Sequence, residues 1–394
     1  MTSIQPLGDL VSIFGGGTPN RSRPDFYNGP IPWITSKDMK RWDIHTSQER
    51  ITQAGLDESA TRLIPVGSVL VVIRSGILKH TLPIAIARRP VAINQDLKAL
   101  VPNEDVDPEY LARYIQSKAR TVLQWVRATT ADNFPLDELK ALKVPVPPIR
   151  EQRRIAKIFA KADHLRRTRR HALELCDEFL PAIFVKMFAK TGTDWPNVTM
   201  EELAADKPNA IRTGPFGSQL LHSEFTEDGI AVLGIDNAVN DRFAWDQRRY
   251  ISPAKYGQLK RYTVFPGDVI ITIMGTCGRC AVVPADIPVA INTKHLCCIT
   301  LDSAKALPTF VHAAFLYHPL VHHQLGMSKK GAIMDGLNME IIKELVLPLP
   351  PLTLQQRFDL VATEHDRLRA NHVEALRQAE HLFQTLLDQS FSAQ

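Results

Sequence analysis

The pentapeptide Pro-Val-Ala-Ile-Asn occupies residues 90–94 and recurs, letter for letter, at residues 288–292. Upstream of each copy lies an apolar run that a glycine opens, Gly-Ser-Val-Leu-Val-Val-Ile at 67–73 and Gly-Asp-Val-Ile-Ile-Thr-Ile at 267–273. The features keep their order over an offset of about 200 residues, which is far longer than the period of a solenoid repeat. The sequence therefore predicts two whole domains of one fold.

A proline-rich segment follows each domain and leads into a helix. Val-Pro-Val-Pro-Pro-Ile-Arg-Glu-Gln-Arg at 144–153 matches Leu-Pro-Leu-Pro-Pro-Leu-Thr-Leu-Gln-Gln-Arg at 347–357. Before these segments, the glycine-led β-branched runs predict strands, and the patterning of 109–126 and 309–325 predicts helices. We therefore expect the order domain, helix, domain, helix. The expected segments are 1–148, 149–190, 191–350 and 351–394.

Both predicted long helices carry apolar residues every three or four positions, which is the seam spacing of a coiled coil. In the second helix the seam runs from Leu354 to Leu386 and includes His365 and His372. Neither seam is rich enough in apolar residues for a free-standing homodimer, so we expect the two helices to pack on each other, antiparallel. Pro181 lies inside the first seam, and we expect a kink or a helix end just before it.

The composition favours an intracellular protein of two to three domains, because each half of 394 residues can bury its own core. No apolar run approaches the roughly 18 residues of a membrane span, and the first residues lack the layout of a signal peptide. The five cysteines are odd in number, and four fall within 277–298, which argues against an extracellular disulfide framework. We therefore expect a cytoplasmic protein that does not contact the membrane.

Positive charge is concentrated in the first half of the chain. Residues 1–190 carry 29 Lys and Arg against 20 Asp and Glu, whereas the whole chain has a net charge of only +5. Much of this excess falls in 150–170, on the first long helix. Such a helix can bind phosphate, be a solvated face, or pair with an acidic partner helix, and the sequence leaves these alternatives open.

Sequence motifs of catalysis are missing. The chain has no Gly-x-x-x-x-Gly-Lys-[Ser/Thr] phosphate loop, no Asn-Pro-Pro-aromatic tetrapeptide of an amino-methyltransferase and no Gly-x-Ser-x-Gly elbow. The cysteines at 277, 280, 297 and 298 superficially resemble a zinc ribbon, but adjacent side chains of a strand point to opposite faces. His318 and His322 have the spacing of a metal pair but lack a neighbouring glutamate base. We expect no catalytic residue and no metal site.

Four features carry a resemblance to a known family. Gly-Gly-Gly-Thr-Pro at 15–19, followed by Gly-Pro-Ile-Pro-Trp-Ile at 29–34, is typical of the opening of one group of target-recognition domains, and Thr-Gly-Pro-Phe-Gly-Ser-Gln-Leu at 213–220 is typical of another. The paired Pro-Pro exits into glutamine-containing helices, and Phe-Leu-Pro-Ala-Ile-Phe-Val-Lys-Met-Phe at 179–188, are typical of conserved spacer regions. Over essentially its whole length, the chain resembles the specificity subunits of type I restriction-modification systems.

The resemblance implies an α+β fold, with two homologous mixed α/β target-recognition domains joined by two long antiparallel coiled-coil helices. It implies a subunit without chemistry of its own that reads the two parts of a split, asymmetric DNA target, while the helices hold the domains apart. The implied partners are double-stranded DNA, two methyltransferase subunits and, through the complex, the restriction and translocase subunits. S-adenosylmethionine, ATP and magnesium are expected on those partner subunits, and no cofactor is expected on this chain.

Alternative functions remain open from the sequence alone. The chain can be the specificity subunit of a bifunctional cut-and-methylate system with a fused catalytic partner. It can also be a structural adaptor whose coiled coil associates with proteins and whose domains bind no DNA, or a self-sufficient enzyme, which would show turnover by the isolated chain.

The candidate DNA-binding residues come from matching loops of the two repeats. Asn and Gln read adenine edges, Arg and Lys read guanine, and small polar or basic loops suit phosphate contact. Asn94 and Asn292 are excluded, because an identical residue in two domains of different specificity is a poor reader. The candidates are Arg74, Lys79, His80, Gln95, Arg127, Thr129, Thr130, Arg212, Ser218, Gln219, Thr276, Arg279, Lys294, His295, Lys329 and Lys330.

Overall fold

The computed structural model describes residues 2–127, 132–189, 194–245, 247–326 and 337–392. The chain divides into two compact units, Met1–Arg170 with Glu374–Gln394, and His171–Val373. The division falls inside both long helices, so each helix is shared between the units instead of forming a segment of its own. Within the described residues, no helix combines the length and apolar character that a membrane span requires.

The first unit is built on two sheets. The central strand of the larger sheet, Val69–Val72, is buried along its whole length, as expected for a β-branched run with neighbours on both faces. The five-stranded sheet has the order Val11–Gly15, Leu97–Pro102, Val69–Val72, Ile84–Ala87, Asp43–Ile44. The three-stranded sheet has the order Glu49–Ile51, Tyr27–Ile34, Ala92–Ile93, and Ser3–Pro6 pairs with Lys143–Val146. The α-helices are Leu7–Leu10, Gln53–Asp57, Pro108–Ser117, Ala119–Gln124 and Leu136–Ala141.

The second unit is also built on two main sheets, but their edge strands differ from those of the first unit. Its fully buried central strand, Val269–Thr272, is the second glycine-led run. The four-stranded sheet has the order Ile211–Thr213, Leu296–Ile299, Val269–Thr272, Cys280–Val282. The five-stranded sheet has the order Phe225–Thr226, Tyr250–Ile251, Ile230–Leu233, Ala290–Asn292, Thr263–Val264, and Asn197–Thr199 pairs with Val346–Pro348. The α-helices are Met200–Leu203, Pro253–Leu259, Pro308–Tyr317, Pro319–Gln324 and Met339–Glu344.

The two identical pentapeptides lie one residue out of step in the two domains. The backbone N–H of Asn94 donates to Ile34 at 3.0 Å, whereas in the second unit Thr293, and not Asn292, donates to Leu233 at 2.9 Å. Both asparagine side chains are buried, and each bonds inside its own turn, which fits the structural role that excluded them as readers. In this part of the fold, structurally equivalent positions are 199 residues apart, although the identical letters are 198 residues apart.

The long helices are Ile149–Phe188 and Leu352–Ser392, here called the first and second long helix. In the first unit, Phe159 stacks on Phe391 with ring centroids 5.7 Å apart, and Arg170 pairs with Glu380 at 2.8 Å. In the second unit, Phe184 packs on Phe358, and Phe179 on His365. Residue numbers rise along one helix as they fall along the other, so the predicted antiparallel packing is confirmed within each unit.

The first long helix continues through Pro181, so of the two outcomes expected from the sequence, a kink or a helix end, the helix end is wrong. A proline inside a helix removes one backbone hydrogen bond and costs about 3 kcal/mol. The residues on either side of it, Leu180, Phe184 and Phe188, are buried in the core of the second unit. Burial of three such side chains contributes about 1.5–3 kcal/mol each, which outweighs the cost.

The far ends of the two long helices take equivalent places. Phe188 contacts Phe310 in the second unit edge-on, with centroids 5.2 Å apart, and Phe391, 203 residues later, contacts Tyr110 in the first unit in the same way at 5.6 Å. Tyr110 and Phe310 lie at matching positions of the helices Pro108–Ser117 and Pro308–Tyr317. Each domain is therefore closed by the end of a long helix that begins elsewhere in the chain.

Candidate nucleic-acid interface

Three loops of the first domain meet at one edge of its larger sheet. The backbone N–H groups of Ile73 and Arg74 both donate to the carbonyl of Asp96, and Ser75 donates to the carbonyl of Asp132 at 2.9 Å. Arg127 forms an isolated backbone bridge with Asn133. The described parts of these loops, at 73–75, 94–96, 127 and 132–133, therefore lie side by side.

The side chains on this surface are polar and partly paired. Arg74 donates to Asp96 at 2.7 Å, and Lys79 lies 3.7 Å from Asp132. Gln95 is exposed, and its side-chain Oε1 accepts the Thr18 hydroxyl at 2.6 Å. His80 and Arg127 are also exposed. Thr129 and Thr130 lie outside the described residues.

The second domain forms the corresponding edge from different residues. The N–H of Ile273 donates to the carbonyl of His295 at 2.9 Å, the bond that Ile73 makes with Asp96. By this equivalence, Met274 occupies the place of Arg74, and His295 that of Asp96. Met274 is exposed. The same backbone scaffold thus presents an ion pair in one domain, and a thioether with an imidazole in the other.

The other candidates of the second domain are distributed around this edge and beyond it. Thr276 is exposed, its carbonyl accepts the buried Thr272 hydroxyl, and Arg279 pairs with Asp241 at 2.8 Å. Lys294 is half-buried next to His295. Burial lowers the pKa of His295 below its ordinary value, and the charges of Lys294 and Arg249 add to this effect.

Two candidates come from the glycine-rich segment that begins at Gly214. Ser218 and Gln219 are exposed in the short 3₁₀ helix Gly217–Gln219. The side-chain Oε1 of Gln219 accepts the Tyr262 hydroxyl at 2.7 Å, which anchors this side chain to the domain. Lys329 and Lys330 lie outside the described residues.

The assignment of Arg212 as a DNA-binding residue is wrong. Its side chain is buried, with the residue only 5% exposed, and its guanidinium pairs with the fully buried Asp268. It also donates to the carbonyls of Thr263 and Asn209, and to the Thr300 hydroxyl at 2.9 Å. A buried ion pair with this many hydrogen bonds stabilises the fold, and it leaves no donor directed to a ligand.

One cluster of polar residues in the second domain was missed by the sequence analysis. Asp236 pairs with Arg249 beside Gly234, where a Cβ atom would lie 2.6 Å from Arg249 Nη2. Within the described part of the chain, Asp236 Oδ2, Arg249 Nε and the Thr293 hydroxyl are buried without a hydrogen-bond partner. Groups of this kind are rare in folded proteins. No sequence motif distinguishes this cluster, because its members are separated along the chain.

The cysteines and the paired histidines have structural positions. Cys297 and Cys298 pack in different core clusters, as expected for neighbours on opposite faces of a strand. The Nε2 atom of His318 lies 3.3 Å from the carbonyl of Phe188, and that of His322 lies 2.7 Å from the carbonyl of Leu316. Across the described ranges, no group of three or more His, Cys, Asp or Glu residues is placed to hold a metal ion.

Comparison with known proteins places these features in a family. The model of the type I restriction modification DNA specificity domain matches residues 3–175 and 226–359. The chain is 39% identical over 162 residues to the EcoR124I/EcoR124II specificity subunit of Escherichia coli, covering 40% of each chain. It is 27% identical over 192 residues to the MjaIX specificity subunit of Methanocaldococcus jannaschii, covering 47% of this chain and 43% of the relative. The matches thus span less than half the length of these two relatives.

Longer matches at lower identity agree with this result. The putative MjaX specificity subunit of Methanocaldococcus jannaschii is 21% identical over 370 residues, or 90% of this chain and 84% of the relative. The type I system S subunit from M. genitalium shares the fold, with a TM-score of 0.59, 14% identity and coverage of 98% and 95%. A second solved chain, from a structure of complex assembly and conformational transition of the type I R-M system, also shares the fold. Its TM-score is 0.61 at 19% identity, and the match covers 99% of this chain and 97% of that one. Because the family model matches most of its length, the chain belongs to the type I restriction modification DNA specificity domain family.

Proposed function

We propose that this chain is the specificity subunit of a type I restriction-modification system, which reads a bipartite, asymmetric DNA target and has no catalytic chemistry of its own. The observation that carries the proposal is the loop edge that both domains build on one backbone scaffold with different side chains. Arg74 and Asp96 in the first domain correspond to Met274 and His295 in the second. Two copies of a reader with unlike reading groups suit a target with two unlike halves.

The chemistry of the two edges supports different base preferences. An arginine reads guanine through its O6 and N7 acceptors, and a carboxylate accepts from the amino group of cytosine. An apolar group such as Met274 suits the methyl group of thymine, and His295 adds a ring nitrogen. Pairing with Asp96 restricts the rotamers of Arg74, which lowers the entropic cost of presenting it to a base.

The long helices support a proposal for two methyltransferase subunits as partners. On the helix pair, each unit exposes two large apolar side chains whose positions in the two units are related by 203 residues, and the second unit also exposes Leu175, Val185, Leu360 and Val373. Leu165 and Leu382 are 38% and 44% exposed in the first unit, and Leu368 and Phe179 are 43% and 49% exposed in the second. The apolar residues that repeat in this way support the proposal of two related docking surfaces. Restriction and translocase subunits would then join through the methyltransferases.

The cofactors of such a system belong to its catalytic subunits. S-adenosylmethionine would bind to the methyltransferases, and ATP and magnesium to the restriction and translocase subunits. This chain would contribute DNA contacts and two docking surfaces, and it would act in the cytoplasm, where the DNA is.

Replacement of residues 1–148 with the corresponding domain of a relative tests the DNA-reading function. The hybrid and the parent are each expressed with the methyltransferase subunits, and the methylated motifs in host DNA are determined by sequencing. We expect one half of the motif to change and the other half to remain. The reciprocal exchange of residues 194–350 is the control, and it should change the other half. If both halves changed together, or if no motif were methylated by a folded complex, the proposal would be wrong.

The mass of the complex tests the partner proposal separately. At saturating methyltransferase, we expect two methyltransferase chains for each copy of this chain. Leu165→Ser with Leu382→Ser should leave one methyltransferase bound, and so should Phe179→Ser with Leu368→Ser. A stable complex with one methyltransferase chain per wild-type chain would contradict the two-surface arrangement.

A further inference from the structure

A cleft in the first unit collects more positive charge than the fold requires. The cleft encloses about 600 Å³, and six of its lining side chains are cationic, whereas two are carboxylates. The carboxylates are Asp43 and Asp163, and the cations are Lys40, Arg41, Arg113, Arg166, Arg167 and Arg170. We call this the first cleft. It lies where the segment 39–45, which includes the strand Asp43–Ile44, faces the helix Pro108–Ser117 and the first long helix.

Arg170 pairs with Glu380 at 2.8 Å, and the other arginines of the first cleft share few carboxylates. Asp163 is buried and contacts three guanidinium groups, with Arg166 at 2.6 Å, Arg167 at 3.2 Å and Arg113 at 3.4 Å. Arg166 Nε is buried without a hydrogen-bond partner among the described residues. In the same part of the chain, no carboxylate pairs with Lys40, whose side chain is exposed. The cleft therefore holds unused donors beside uncompensated charge.

The second unit supplies an internal comparison. Its cleft of about 500 Å³ at the corresponding place, here the second cleft, includes Arg242, Arg279 and Arg369 in its lining. Each of these arginines has a carboxylate of its own, Asp366, Asp241 and Asp177 respectively. A domain of this fold thus packs on the long helices with balanced charge.

The surplus arises at positions that are not basic in the second unit. By the offset of 199, Lys40 and Arg41 correspond to Val239 and Asn240. By the helix offset of 203, Arg167 and Arg170 correspond to Ala370 and Val373, whereas Asp163 and Arg166 correspond to Asp366 and Arg369. Among the residues that differ, Arg167 pairs with Asp163 and Arg170 with Glu380, whereas Lys40 and Arg41 have no carboxylate partner among the described residues. Lys40 and Arg41 are consequently surplus cations that the ion pairs of the fold do not use.

We propose that the first cleft binds an oxyanion of the phosphate type between Lys40, Arg41 and the arginines of the first long helix. Guanidinium groups match such an anion because their donors form forks that bind two oxygens at once. A concave site with one sign of charge focuses its field on the ligand. The anion can be a phosphodiester of DNA or a free phosphate, and the chemistry of the site is the same for both.

The test uses the full chain with Lys40→Val and Arg41→Asn together, which gives the first cleft the residues of the second. Both side chains are exposed, so the variant should fold, and unfolding by denaturant checks this. Lys40→Gln alone serves if the double variant does not fold. Arg242→Gln in the second cleft is the matched control, because it removes a paired arginine.

Two measurements distinguish the sources of the anion. Calorimetric titration with inorganic phosphate at low ionic strength should show binding that is about tenfold weaker, or lost, in the double variant if the site takes a free anion. If the site takes a DNA phosphate, the slope of log K against log salt for DNA binding should fall by about 0.9 per lost contact, with no change in the preferred sequence. Arg242→Gln should change neither quantity. The proposal is overturned if the double variant matches the wild type in both measurements, or if it loses only the binding of a protein partner.

Discussion

Gln152 and Gln355, 203 residues apart, occupy the same buried position in the two domains and make the same three hydrogen bonds. The Nε2 of Gln152 donates to the carbonyls of Asp105 and Pro147, and its Oε1 accepts the N–H of Asp107 at 2.9 Å. Gln355 repeats these bonds with Lys305, Pro350 and Leu307. Each glutamine thus ties the first turn of a long helix to the loop that precedes a helix of the domain.

Gln152→Leu should destabilise the first unit by about 3 kcal/mol, because two carbonyls and one N–H group would remain buried without partners. Urea unfolding of the full chain, followed by hydrogen exchange in residues 105–115, measures the effect. The control is Gln384→Leu, since Gln384 is exposed and its side-chain amide donates to the Asp388 carboxylate one turn away. Equal stability of the two variants would show that the buried bonds contribute nothing.

Phe391→Ala should act on the first domain, although Phe391 lies near the end of the chain. Its ring packs against Phe159, Tyr110 and Tyr114 in the core of the first unit, so its truncation should cost about 3–5 kcal/mol. Hydrogen exchange should accelerate in residues 110–115 and remain slow in 310–315.

Phe188→Ala is the reciprocal control, and it should accelerate exchange in 310–315 alone. If Phe391→Ala accelerated exchange equally in both segments, the ends of the helices would not belong to separate cores.

Arg212→Met should reduce stability and leave intrinsic DNA contacts unchanged. The substitution leaves the Asp268 carboxylate buried without its cation, and loss of one partner of a buried pair costs about 3–5 kcal/mol. Thermal unfolding measures this loss, and the salt slope of DNA binding, measured well below the transition, should equal that of the wild type. The double variant with Asp268→Leu should recover part of the stability. A reduced salt slope in a fully folded variant would restore Arg212 to the DNA interface.

The stability of the second unit should fall as the pH drops below about 6.5. His312 is enclosed in that unit, with Nε2 at 3.0 Å from the carbonyl of Asp241, and burial lowers its pKa below the ordinary 6.5. Between the two pKa values, the unfolded chain therefore binds a proton that the folded chain does not. The contribution of neutral His312 to the free energy of unfolding is fully present above pH 6.5, and it is lost as pH falls from there toward the folded pKa. Burial lowers the pKa of His318 too, and this histidine acts in the same direction.

His312→Gln keeps a donor at this place and removes the titration. Urea midpoints of the wild type and the variant between pH 5 and 8, read from hydrogen exchange in residues 310–315, should diverge from each other only below about pH 6.5. His164→Gln, at an exposed position of the first long helix, should behave as the wild type does. If the urea midpoint of His312→Gln fell with decreasing pH as steeply as that of the wild type, the pH dependence would belong to other groups.

The duplicated architecture was predictable because apolar periodicity and glycine-led strands are local properties of the sequence. The runs at 67–73 and 267–273 became central strands, and the two proline exits became the starts of the long helices. The one-residue shift of the repeated pentapeptide was not predictable, since the pairing register is fixed by neighbouring strands and not by identical letters.

The candidate site was only partly predictable for a related reason. Arg74 and Arg212 look alike in the sequence, because both follow apolar residues. Arg74 lies in the basic half of the chain, and Arg212 lies near a glycine-rich loop. Only the fold brings Arg212 beside Asp268, 56 residues away, and leaves Arg74 at a surface edge. The Asp236–Arg249 cluster was missed because a turn and an irregular segment, separate in the chain, meet beside Gly234.

The place of Phe391 in the core of the first unit fixes an order of events during synthesis. The ribosome finishes all of the second unit, His171–Val373, before it makes the segment that completes the first. The first domain, although translated before the second, must wait with its apolar face around Tyr110 and Phe159 uncovered until the last turns of the second long helix emerge. A product released early, without residues 374–392, would carry a finished carboxy-terminal domain and an open amino-terminal one. Such a product would be a substrate for chaperones and proteases.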